Sequence, residues 1–164
     1  MSPIKLTRDM LPNLPDEIYE MFVVPQNDAP LNIFDSQPQG RWFFHFGGLS
    51  VEEFGHLRWK RTILTFNKDI FHPDSNRDIN RLVSYSRIDN VALANAILPG
   101  NPTDSRGRLA WHKKSILDTG RLCAPIVCIR TSEGIRVLDG THRLVAATLL
   151  DNSDTIPLDA WLGE

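Results

Sequence analysis

The sequence lacks the features that would place it outside the ordinary globular classes. Only two cysteines occur among 164 residues, and they form neither a CxxC pair nor a cysteine–histidine cluster with zinc spacing. Nothing in this usage indicates an oxidising compartment. No apolar run approaches the roughly 20 residues that a membrane span needs. Met1 to Met10 contains no apolar signal-peptide core, so the sequence predicts a cytoplasmic protein with no membrane partner.

The chain also lacks an excess of positive charge. Its net charge is −2 and its pI is near 6.2, which argues against an unspecific, strongly basic nucleic-acid binder. A local basic patch and contact with DNA stay open. Hydrophobic residues make up 41% of the chain, enough for a real core.

The last third of the chain has the clearest pattern of secondary structure. Pro125 to Arg130 is apolar and rich in β-branched residues, which is typical of a buried strand. A turn leads to a second strand over Ile135 to Leu138 and then to a helix over Thr141 to Leu150. Ile156 to Trp161 is predicted as a closing strand. This order predicts an α/β (α+β) fold with a small mixed sheet surrounded by helices.

Residues 1 to about 80 are predicted to be an N-terminal extension packed on a core of residues 81–164, with one compact unit as the result. Ser50 and Glu53 form a capping box, which predicts a helix from Val51 to about Lys60. The remaining predicted elements are a helix over Pro15 to Phe22, strands over Arg41 to Phe46 and Thr62 to Phe66, a helix over Arg77 to Val83, an extended segment over Ser84 to Ile88, a helix from Asp89 to Leu98, a polar loop over Asn101 to Gly107 and a helix over Arg108 to Asp118.

The junction between strand and helix at Asp139 to Arg143 carries the candidate chemistry. A helix start presents unpaired N–H groups and a positive dipole end, which together attract phosphate. Gly140 would let the backbone approach such an anion closely, and Arg143 would add a charged contact. Asp139 has three open roles: it can cap the helix, orient His142 or Arg143, or hold a divalent cation.

A simpler interpretation of the same junction stays open. Asp-Gly is a common turn, and Thr141 would then only cap a buried helix. His142 and Arg143 would be exposed polar residues at that helix start.

The run APIVCIRTSEGIRVLDGTHRLVAATLL, followed by IPLDAW, resembles the ParB/sulfiredoxin superfamily in its Asp-Gly-x-His-Arg form. The resemblance implies that Gly140, Thr141, His142 and Arg143 form a loop that binds the phosphates of a nucleotide. It implies ATP or CTP as the bound nucleotide. The nucleotide would bind together with Mg²⁺, for which the residues themselves offer Asp139 as the candidate ligand. Thr141 occupies the place of the sulfiredoxin cysteine, which argues against sulfiredoxin activity.

Two hypotheses for function follow from the loop and the resemblance. In the first, the protein hydrolyses or transfers phosphate from a nucleoside triphosphate, or acts on DNA as a nuclease, with Asp139, His142 and Arg143 as catalytic residues. In the second, it is a non-enzymatic nucleotide- or DNA-binding regulator or inhibitor of plasmid or phage type. A protein partner would then bind through residues 1–80.

Arg108 and His112 are secondary candidates on the helix that precedes the first core strand. If that helix packs beside the loop, both side chains would reach a nucleotide or a DNA phosphate. The alternative is a solvated helix face around a buried Trp111.

Overall fold

The computed structural model describes residues 5–28, 49–87, 102–151 and 153–164. In these ranges the chain forms a four-stranded mixed sheet with helices packed around it, which confirms the predicted α+β class. The strands are β1 (Trp59–Leu64), β2 (Ile126–Thr131), β3 (Gly134–Asp139) and β4 (Leu158–Gly163). The helices are α1 (Asp16–Ile18), α2 (Val24–Asp28), α3 (Val51–Gly55), α4 (Pro73–Ser86), α5 (Pro102–Thr119) and α6 (Thr141–Thr148), and a π-helical stretch, Tyr19–Val23, joins α1 to α2.

The spatial order of the strands is β1-β4-β2-β3. Strands β2 and β3 form an antiparallel hairpin, and α6 then carries the chain across to β4, which runs parallel to β2. Such a parallel pair needs a long connection, and α6 supplies it. Strand β1 pairs antiparallel with β4, so residues before position 80 contribute an edge strand to the sheet. The expected boundary near residue 80 falls inside helix α4.

Strand β2 is covered on both faces, as its continuous apolar pattern predicts. Val127 and Ile129 pack into a cluster formed mainly by residues from the N-terminal segments. Ile126 and Cys128 point to the opposite cluster, which includes residues of α4, α5 and α6. Cys128 is fully buried, and burial raises the pKa of its thiol to about 12, so it behaves as a small hydrophobic residue.

Arg61 links the N-terminal segments to the sheet. Its guanidinium donates two hydrogen bonds to Asp159 on the neighbouring strand, at 2.6 Å and 2.5 Å. It also donates to Glu17 at 3.1 Å, and that carboxylate accepts a second hydrogen bond from the indole of Trp161. The hydrogen bond from Arg61 holds the pKa of Asp159 below its ordinary value.

Several local predictions were wrong in their bounds or their type. Helix α3 ends at Gly55, and Lys60 lies in strand β1 instead of in a helix. The segment after Pro102 belongs to α5 and is not a loop, while Ser84 and Ser86 belong to α4 and are not extended. The predicted helix start at Ser50 is confirmed, because the Ser50 side chain accepts from the Glu53 amide at 3.1 Å. The predicted strand at 41–46 and helix at 89–98 lie outside the described residues.

Candidate functional site

Helix α6 begins directly after Gly140, which follows the last residue of β3. Gly140 has a φ of 97° and a ψ of 17°, in the left-handed region that favours glycine. The first helical hydrogen bond runs from the Leu144 amide to the Gly140 carbonyl at 3.0 Å. Because Gly140 itself occupies the N-cap position, no side chain caps this helix. The first-turn amides are therefore not occupied by a side-chain cap, as an anion site requires.

Arg143 lies back over this turn instead of extending into solvent. Its Nη2 donates to the Pro125 carbonyl at 3.1 Å and to Asp139 Oδ2 at 3.3 Å. Only 14% of the side chain is exposed. A Cβ added at Gly140 would lie 2.8 Å from the same Nη2 atom, so the guanidinium packs against the glycine backbone. Of the three roles predicted for Asp139, the structure shows the orienting one, toward Arg143.

His142 is a neutral imidazole inside a group of positive charges. Burial, followed by charge repulsion from Arg108, His112 and Arg143, lowers its pKa to about 4. Asp139 is the only carboxylate among the groups that shift this pKa. The Nε2 atom is buried and has no hydrogen-bond partner within the described part of the chain.

Helix α5 brings Arg108 and His112 to the same place. The pKa of His112 is lowered by its burial, then by Arg143 and Arg108, so these groups face one another across the contact between α5 and α6. Arg108 is exposed and His112 is half-buried. The structure thus assembles the predicted candidates at one helix start: Asp139, Gly140, Thr141, His142, Arg143, Arg108 and His112. We call these seven residues the cationic site.

Two neighbours of the cationic site were not predicted. Trp111 is 58% exposed, so the expectation of a buried Trp111 was wrong. Its ring meets the His112 ring edge to face, with centroids 5.0 Å apart. The Cys123 sulfur lies 3.8 Å from His112 Nδ1, and no pattern in the sequence indicated this contact. The spacing of Arg108 and Trp111, about one helical turn, is the signal that would have placed Trp111 beside the site.

The residues of the site do not form a protein-built metal centre. Within the described ranges, no group of three or more histidine, cysteine or acidic side chains is arranged to hold a metal ion. The Asp139 carboxylate is engaged by Arg143.

The pKa of His142 makes stability depend on pH in a defined window. Its ordinary pKa is 6.5 and its folded value is about 4, so below about pH 6.5 the unfolded chain takes up a proton that the folded chain refuses. The contribution of the neutral His142 to the free energy of unfolding is therefore fully present above about pH 6.5, and it is lost as the pH falls toward 4. Because solvent screens this partly exposed group, we expect the free energy of unfolding to fall by about 1 kcal/mol between about pH 7 and about pH 5.

His142→Gln removes this contribution. We expect urea unfolding to show a smaller loss of stability on acidification in the variant than in the wild type. An equal loss in both proteins would show that the imidazole titrates normally.

The described helices include none that is long and apolar enough to cross a membrane. Comparisons of the chain with protein-family models, curated proteins and solved structures find no match. The resemblance to the ParB/sulfiredoxin superfamily therefore stays a prediction from the sequence, and any function is argued from the cationic site.

Proposed function

We propose that this protein binds a nucleoside triphosphate, with the phosphates at the start of α6. The observation that carries the proposal is the convergence of Arg108, His112, His142 and Arg143 on one uncapped helix start with a single carboxylate among them. These side chains and the uncapped helix start each attract an anion, and because they lie close together their attractions add at one place. The sequence resemblance supports a nucleotide as that anion.

The groups at the site have different roles in this proposal. Arg108 is exposed and supplies the cation that reaches the outer phosphates, to which its planar guanidinium can donate two parallel hydrogen bonds. The amides that begin α6 donate to the inner phosphates. Arg143 is a positioning residue, because its Nη2 donors hold Pro125 and Asp139 and so fix the turn at Gly140. His142 and His112 are neutral donors that gain a proton more easily once a negative ligand is bound.

One observation favours binding over turnover. Asp139 Oδ2 accepts from Arg143, and His142 Nε2 is buried, so one potential proton acceptor of each group is held away from an attacking water. A non-enzymatic, nucleotide-controlled regulator is therefore the better-supported form of the proposal. Hydrolysis or phosphotransfer, with His142 accepting the proton of the nucleophile, is the enzymatic form, and phosphodiester cleavage of DNA is its nuclease variant.

A thermal-shift and calorimetric titration with ATP, CTP and GTP, each with and without Mg²⁺, tests the proposal. Saturating nucleotide should raise the unfolding temperature, and a ligand at about 100 times its Kd adds about 2.7 kcal/mol. Arg108→Ala should weaken binding by about tenfold, the loss of a charged contact of about 1.4 kcal/mol. Lys114→Ala is the matched control, because Lys114 is an exposed cation on the same helix.

No stabilisation by any of the three nucleotides would overturn the proposal. Phosphate release and nicking of supercoiled plasmid DNA separate its two forms. Release or nicking that is lost in both Asp139→Asn and His142→Gln would establish the enzymatic form, whereas binding without either reaction would establish the regulatory one.

A further inference from the structure

Trp111 is a large aromatic side chain in an unusual position beside the cationic site. It is 58% exposed, although tryptophan is normally well buried. Its ring contacts His112, with an angle of 86° between the two planes. Because the two rings are nearly perpendicular, the imidazole contacts at most one face of the indole and leaves the opposite face open to another ring.

The geometry of helix α5 explains why Trp111 lies at the solvent-exposed edge of the cationic site. Side chains three or four positions apart are neighbours on a helix, so Arg108 has both Trp111 and His112 beside it. Leu109 and Ile116 of the same helix are buried in the core and mark its inner side. From inside to outside, α5 thus presents His112, Arg108 and then Trp111, which is the outermost of the three.

We propose that Trp111 is the stacking platform for the base of the bound nucleotide. The inference rests on the proposed function and extends it, because it assigns the base to an aromatic surface next to the phosphates. An indole face stacks on any nucleobase, and stacking is sequence-tolerant because every base presents a π-face. The arrangement selects an anion that carries an aromatic ring over inorganic polyphosphate or a sugar phosphate, and it accepts both purines and pyrimidines.

The neighbouring charges favour this occupant over an apolar protein surface. A hydrophobic partner seated on Trp111 would have to cover Arg108, which is exposed, and the partly buried group of His112 and Arg143 behind it. Covering a cation without pairing it is costly. A nucleotide pairs the cations with its phosphates and covers the indole with its base in one molecule.

The test compares ATP with tripolyphosphate on the full chain by calorimetry. We expect ATP to bind wild type about tenfold more tightly than tripolyphosphate, since base stacking is worth about 1–3 kcal/mol. Trp111→Ala should remove this preference while leaving tripolyphosphate affinity unchanged. We expect ATP to quench tryptophan fluorescence in wild type, and Trp111→Phe should lose this quenching while keeping most of the preference for ATP.

Leu117→Ala is the matched control, because Leu117 is an apolar side chain on the same helix and is 64% exposed. It should leave both affinities at their wild-type values. Equal binding of ATP and tripolyphosphate in wild type, or an ATP preference that survives in Trp111→Ala, would overturn the stacking role and leave the phosphate site intact. Failure of both ligands to bind would overturn the proposed function itself.

A single-stranded oligonucleotide is the third ligand, because it carries the same base and phosphate chemistry. Weaker binding of a short oligothymidylate than of ATP supports a free nucleotide as the occupant. Tighter binding that depends on Trp111 would overturn that assignment in favour of a nucleic-acid strand.

Discussion

Gly134→Ala is expected to lower the free energy of unfolding by about 3 kcal/mol, the sum of backbone strain and overpacking. Gly134 has a φ of 122°, which L side chains rarely adopt. A Cβ there would lie 2.9 Å from the backbone atoms His72 N, Ile70 O and Phe71 C. These atoms cannot move easily, because the His72 amide donates to the Ile135 carbonyl at 2.8 Å.

Two other glycines separate the contributions to this loss. Gly120 has a φ of 73° but open space around it, so Gly120→Ala should cost only the strain, about 1 kcal/mol. Gly107 lies inside α5 with nothing within 4 Å, so Gly107→Ala should stabilise by about 0.5–1 kcal/mol. Urea unfolding of the three variants gives the comparison. A cost at Gly134 equal to that at Gly120 would contradict the close approach of the segment 70–72.

Arg143→Met is expected to lower stability by about 2 kcal/mol and to remove nucleotide binding. Methionine keeps an unbranched chain over Gly140 but leaves the Pro125 carbonyl and Asp139 without the Nη2 donor. The turn at Gly140 then loses the interaction that fixes it. The pKa of His142 should also rise, because Arg143 is one of the charges that lower it. Urea unfolding and nucleotide titration measure the two losses.

The matched variants for Arg143 distinguish charge from geometry. Arg143→Lys keeps the charge but has no planar fork, so it should recover part of the binding and little of the stability. In the double variant with Asp139→Asn, the two stability losses should be less than additive, because the residues contact each other. Full nucleotide binding by Arg143→Met would show that this side chain does not organise the site.

The elements that the sequence predicts well are those whose cause is local. Strand β2 is recognisable because both of its faces are buried, so its apolar pattern is continuous. The helix after Ser50 follows from the serine that caps its first turn. The turn at Gly140 follows from an Asp-Gly pair between an apolar strand and an apolar helix. These features need no knowledge of what packs against them.

The features that the sequence does not predict depend on distant partners. Strand β1 was assigned partly to a helix, yet Lys60 pairs with Glu164 and Arg61 with Asp159 far along the chain. Helix α5 begins at Pro102 in a stretch whose polar residues are typical of a loop. The hydrogen bond from Arg143 to the Pro125 carbonyl could not be predicted either, because no pattern in the sequence indicates which backbone carbonyl a side chain will meet. The site residues were predicted from their types, and their arrangement required the fold.

The position of β4 has a consequence for how the chain folds. It is the last strand in sequence but lies between β1 and β2, and Trp59 is opposite Gly163. Strand β1 therefore has no described sheet partner until the far end of the sequence has docked, a contact of very long range. Assembly of such a sheet is slow relative to a local hairpin, because the entropy of closing a long loop comes first. Strands β1 and β4 should consequently gain and lose their structure together, as one cooperative transition.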